Sequence, residues 1–142
     1  MTFQDQSALW MKLYESAKAI HGERKISPFI EAGSVSAALM TGKGNIYTGV
    51  CIDTACGLGM CAERSAIAAM LSAGEHEITR ILCIMPDGKT GGSPCGACRE
   101  FMMQLSPRSK EIEILTSLET FSTVKLGDVM PDWWGEKYMN EQ

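Results

Sequence analysis

Four residues in two short segments can do chemistry together: Cys61 and Glu63 in Met60-Cys61-Ala62-Glu63-Arg64, and Cys95 and Cys98 in Pro94-Cys95-Gly96-Ala97-Cys98. Three thiolates can cage Zn²⁺ and leave its fourth position to water, while a carboxylate beside that opening carries protons. This is the machinery of hydrolytic attack on an electrophilic carbon. Cys-x-x-Cys alone reads as zinc site or thiol-redox pair about equally. The third cysteine with its glutamate, a helix and a strand upstream, decides for zinc.

Three thiolates more than neutralise Zn²⁺, so something must offset the sulfur charge if the site is to activate water. Cys61 and Cys95 each stand where a helix is expected to begin, and a helix N-terminus carries the equivalent of roughly half a positive charge. Arg64, next to Glu63, is the expected further counter-charge, whereas Arg99 reads as a solvated helix residue. Glu63 is one small residue from Cys61, near the metal without competing for it, and its expected work is proton transfer. Cys83, within Ile81-Leu82-Cys83-Ile84, reads as a small buried hydrophobe. Cys51 reads as a core residue with a possible substrate contact, and Cys56 is a rival fourth ligand. His21 and His76 have no motif partner and are expected at the surface.

The chain has 142 residues, enough for one domain with a real core, expected to span 1–142. Apolar residues make up 45% and charged residues 21%, an ordinary globular balance without low-complexity tracts. A net charge of −4 with no basic stripe disfavours nucleic acid and favours a small-molecule substrate. No signal peptide is legible, and no apolar run approaches the roughly 20 residues that cross a bilayer, so a cytoplasmic protein with reduced thiols and no membrane partner is expected.

The elements that must position the four residues follow from periodicity. Leu9, Leu13, Ala17 and Ile20 form a helical stripe within 5–21. Residues 26–33, with Pro28, read as a loop. Strands are expected at 35–40 and 46–53, joined by the glycine-containing turn 41–45, then an Ala-rich helix at 62–73 stopped by Gly74. The apolar run 78–85 reads as a central strand covered on both faces. A second helix at 97–105 and strands at 111–116 and 121–126 complete a sheet with helices on its faces, an α/β chain. Both cysteine segments then open core helices, which lets the three sulfurs converge.

Gly49-Val50-Cys51-Ile52-Asp53, Met60-Cys61-Ala62-Glu63-Arg64-Ser65-Ala66-Ile67, Ser93-Pro94-Cys95-Gly96-Ala97-Cys98-Arg99 and Val129-Met130-Pro131 resemble the small cytidine deaminases that bind zinc through three cysteines. The resemblance implies a three-layer α/β/α sandwich with a five-stranded mixed sheet. It further implies a homotetramer with sites at subunit interfaces, and hydrolysis of a cytosine nucleoside to the uracil product and ammonia. Carried over by position, Cys61, Cys95 and Cys98 are the zinc ligands and Glu63 the proton shuttle. Where that family usually places Asn and Glu for the ribose hydroxyls, this chain has Cys51 and Asp53. Its Gly33-Ser34-Val35-Ser36-Ala37-Ala38 also lacks the family's usual Phe. The resemblance therefore specifies chemistry more than substrate, and blasticidin S deaminase looks like the same architecture. Trp133 and Trp134 fall where a C-terminal aromatic often closes the pocket; an interface or core role is an equal expectation. A structural zinc in a binding module is the alternative of another class, and it needs a fourth protein ligand.

Overall fold

A computed structural model describes residues 1–139. The order is α1 (Phe3–Ile20), β1 (Arg24–Ser27), β2 (Ile30–Thr41), β3 (Ile46–Thr54), α2 (Ala62–Ser72), β4 (Ile78–Ile84), α3 (Gly96–Met103), β5 (Glu113–Ser117), β6 (Ser122–Lys125) and the short α4 (Glu136–Met139). The strands form one mixed sheet. β2 pairs antiparallel with β1, β3 and β4, β4 runs parallel to β5 across the α3 connection, and β6 returns antiparallel on β5.

Alternation along the strands builds two core layers. Ala38 and Met40 of β2, with Leu82 and Ile84 of β4, face α1 and bury Trp10, Leu13 and Ala17. Ala37 and Leu39, with Ile81 and Cys83, face the other way and cover Ala66, Ile67 and Met70 of α2 and Met102 of α3. Because β4 is apolar on both faces, its sequence is a continuous apolar run. The α/β/α layering is as expected, and Cys83 is buried as expected. α1 begins earlier than periodicity indicates, because Thr2 and Asp5 form a capping box ahead of the apolar stripe.

Among the described residues the sheet has six strands rather than five. Residues 26–33 are not a loop: β1 and the start of β2 form a hairpin in which Arg24 and Lys25 pair with Ala32 and Glu31. Pro28 sits in the turn, where the Ser27 hydroxyl accepts from the N–H groups of Phe29 and Ile30. The strand is short and almost wholly exposed, so no inside–outside alternation marks it. His21 also departs from expectation. It is half-buried, with Nδ1 3.1 Å from the hydroxyl of the fully buried Ser36.

The placement of α2 depends on Gly49 in β3. A Cβ built there would lie 2.3 Å from Ala66 N and 2.7 Å from Ala62 O, both backbone atoms of α2. The helix that follows Cys61 therefore rests directly on the strand, and a methyl group would displace it. Gly49→Ala is expected to destabilise the fold by about 1–3 kcal/mol, the usual cost of overpacking, and to weaken zinc binding with it. Denaturant unfolding and zinc titration check this; unchanged values for both would contradict the packing described.

Candidate metal centre

Cys61 and Cys95 are the N-cap residues of α2 and α3, both with extended backbone, and Cys98 lies in the first turn of α3. Neither N-cap side chain forms the usual capping hydrogen bond. The thiols instead stand at the helix entrances, where backbone N–H groups are free to point at anionic sulfur. Cys61 Sγ is 3.6 Å from Cys95 Sγ, Cys95 Sγ is 3.4 Å from Cys98 Sγ, and all three sulfurs lie within 4.8 Å of one another.

A zinc ion with tetrahedral Zn–S bonds of about 2.3 Å requires S···S edges of about 3.8 Å. The cluster fits that requirement, and its soft donor set suits zinc. No other Cys, His, Asp or Glu among the described residues joins the group. Cys56 is exposed, and its thiol donates instead to Thr54 Oγ1 at 3.3 Å. The fourth ligand that a closed structural site needs is therefore missing from the described residues.

The electrostatics follow from the crowding of sulfur. Burial opposes ionisation of Cys95. The backbone N–H of Cys98, the thiols of Cys98 and Cys61 and the backbone N–H of Ala97 outweigh it and hold the Cys95 thiol below the ordinary range. Cys98 is pushed well up, first by burial, then by the Glu63 charge and its thiol neighbours. Arg64 is held more firmly protonated by hydrogen bonds to Cys61 and Cys98. Its Nη2 is 3.6 Å from Cys61 Sγ, and its buried Nε has no partner among the described residues. A half-buried guanidinium beside the cluster sulfurs is the arrangement expected of a counter-charge for thiolates.

Glu63 is buried, 6% exposed, in the first turn of α2. Burial first, and then the Glu63 charge, raise the thiol of Cys83 on β4 well above the ordinary range.

Cys51 and Asp53 are not part of the cluster. The pairing of β2 with β3 is irregular between Ala32 and Ser36. Cys51 Sγ accepts from Val35 N and lies 3.2 Å from Ser34 Oγ, which satisfies a backbone N–H at that irregularity. Asp53 is exposed near the end of β3. Trp133 is half-buried against the core and Trp134 exposed, and both indole N–H groups donate to Glu100 of α3. Arg99 corrects its expected solvated position: it is half-buried, with three hydrogen bonds to the chain around Cys95 and to Val129. A cavity of about 630 Å³ lies at the start of β4 and the end of α2, lined by Lys43, His76, Arg80 and Arg108 among others; no cluster residue borders it.

Residues 11–114 match the family model for the cytidine and deoxycytidylate deaminase zinc-binding region. The cytidine deaminase of Halalkalibacterium halodurans is 30% identical over 108 residues, covering 75% of this chain and 81% of that protein. The cytidine deaminase of Burkholderia pseudomallei superposes with a TM-score of 0.66 at 32% identity, over 93% of this chain and 98% of that one. That of Mycobacterium leprae gives 0.70 at 26% identity, over 87% and 98%.

The cluster predicts a selective loss of metal. Cys98→Ser should bring zinc well below the roughly one ion per chain of a single such site, and Cys56→Ser should leave it unchanged. Metal analysis of purified protein checks both. Zinc lost on removing Cys56 would support a closed, structural site instead.

Proposed function

The chain belongs to the cytidine and deoxycytidylate deaminase family, as a zinc-dependent deaminase, and from that premise we propose that it hydrolyses the exocyclic amine of a cytosine nucleoside to the uracil product and ammonia. The observation that carries the reading is the pairing of an incomplete three-sulfur cage with a buried glutamate two residues from one of its ligands.

Cys61, Cys95 and Cys98 are the proposed ligands of the ion. When bound there, zinc supplies activation of water at near-neutral pH. The rest is work for the chain. The Glu63 carboxylate takes a proton from the attacking water and passes it to the adjacent ring nitrogen. It then takes the proton of the new C–OH group and delivers it to the exocyclic nitrogen, so that the C–N bond breaks, the hydroxyl becomes the carbonyl of the uracil product and ammonia leaves. Arg64 and the two helix N-termini offset thiolate charge, so that loss of a proton from water is not opposed by sulfur alone.

Cys51 and Asp53, on the strand leading toward the site, are the proposed substrate contacts. A second reading keeps the mechanism and changes the substrate to blasticidin S or another aminated heterocycle. Cys51 favours it, because its thiol is engaged with Ser34 and Val35 and has no amide to offer a sugar hydroxyl. The remaining parts of the proposal are a single domain over 1–142, a homotetramer, and action on free nucleosides in the cytoplasm as pyrimidine salvage. The exposed Ile26, Phe29 and Leu58 support self-association. No helix among the described residues is long and apolar enough to cross a membrane.

Glu63→Gln keeps the shape of the side chain and removes its ability to shuttle protons. It is expected to retain zinc and thermal stability while ammonia release from cytidine, deoxycytidine or blasticidin S falls by at least the ~10²–10⁴ attributed to general acid–base catalysis. Ammonia release at the wild-type rate would rule out the assigned role.

A further inference from the structure

Cys95 is an exposed member of the cluster, and it is preceded by a segment with little to hold it. The bridge of Ile84 with Thr90 holds the chain as far as Gly91, but Gly92, Ser93 and Pro94 make none of the backbone–backbone hydrogen bonds of the described loops and turns. A ligand at the end of such a segment, at a helix N-cap, depends on whatever fixes the entry of the chain into the helix. Arg99, one turn further along α3, does this. Its Nε donates to Pro94 O at 2.9 Å, its Nη2 to Ser93 Oγ at 2.6 Å, and its Nη1 to Val129 O at 3.4 Å. One planar guanidinium thus holds the two residues that precede Cys95 and ties them to the turn after β6.

We propose that Arg99 is a positioning residue for the metal cluster: its fork of hydrogen bonds sets the location of Cys95 Sγ relative to Cys61 and Cys98, and thereby the affinity of the site for zinc. The adjacent Glu100 reinforces the same tie by accepting from Trp133 and Trp134, so both residues following Cys98 fasten the C-terminal segment to the metal helix. The geometry of the fork does this work, not the charge. Lysine keeps the charge but cannot reach three acceptors in one plane.

The inference rests on the zinc reading above, and the test separates the two. Zinc affinity is measured by competition with a chromogenic chelator, and thermal unfolding is followed for zinc-loaded and zinc-stripped protein. The variants are R99K, S93A and the pair together. R99K is expected to weaken zinc binding about 10–100-fold, the usual effect of losing a partner that orients a ligand, with the zinc-stripped protein unfolding near the wild-type temperature. S93A should show a smaller loss and add nothing to R99K. If R99K does not fold, S93A alone decides, and wild-type zinc affinity in it overturns the proposal. Zinc binding by R99K at wild-type strength would also overturn it, as would an equal loss of stability with and without zinc at unchanged affinity. A wild-type chain that takes up no zinc would overturn the metal reading itself.

Discussion

Three cysteine sulfurs held within one coordination sphere are the constraint on which the site depends. As thiolates they repel one another, and with a single divalent ion among them they leave a net negative charge. The chain answers this with geometry rather than with many cations. Two of the sulfurs belong to N-cap residues, so the N–H groups and dipoles of α2 and α3 converge on them, and the half-buried Arg64 lies against the cluster. The same arrangement that makes the sulfurs tolerable in proximity brings no fourth ligand from among the described residues and sets Glu63 in the first turn of α2.

The rest of the fold keeps the two helix entrances together. β2, β3 and β4 form the platform, α1 closes its far face, and α2 lies so close to β3 that Gly49 has no room for a side chain. The parallel pairing of β4 with β5 requires a crossover, and α3 with Cys95 and Cys98 is that crossover. Cluster geometry is thus inherited from strand pairing on one side and from the Arg99 fork on the other.

The three-sulfur cluster was legible in the sequence because a spacing of one or two residues at a helix start translates directly into shared direction. The central strand and the main helices were legible because burial on one or two faces leaves a period. What escaped reading had no such local signature. β1 is short and exposed, so its residues show no alternation. Arg99 stands beside a ligand in sequence, yet its acceptors include Val129, which only tertiary structure brings near. The shared acceptor of Trp133 and Trp134 likewise depends on how separate elements meet. Cys51 was visible as a departure from the family pattern; its tie to Val35 N was not, because it depends on an irregularity between two strands.

The account stands or falls on a three-sulfur site whose remaining position is open to water. X-ray absorption at the zinc edge of the purified protein measures this directly. Three sulfurs at about 2.3 Å with one lighter oxygen or nitrogen neighbour is the predicted shell; four sulfurs with no light neighbour would contradict a catalytic site and leave the metal a structural one.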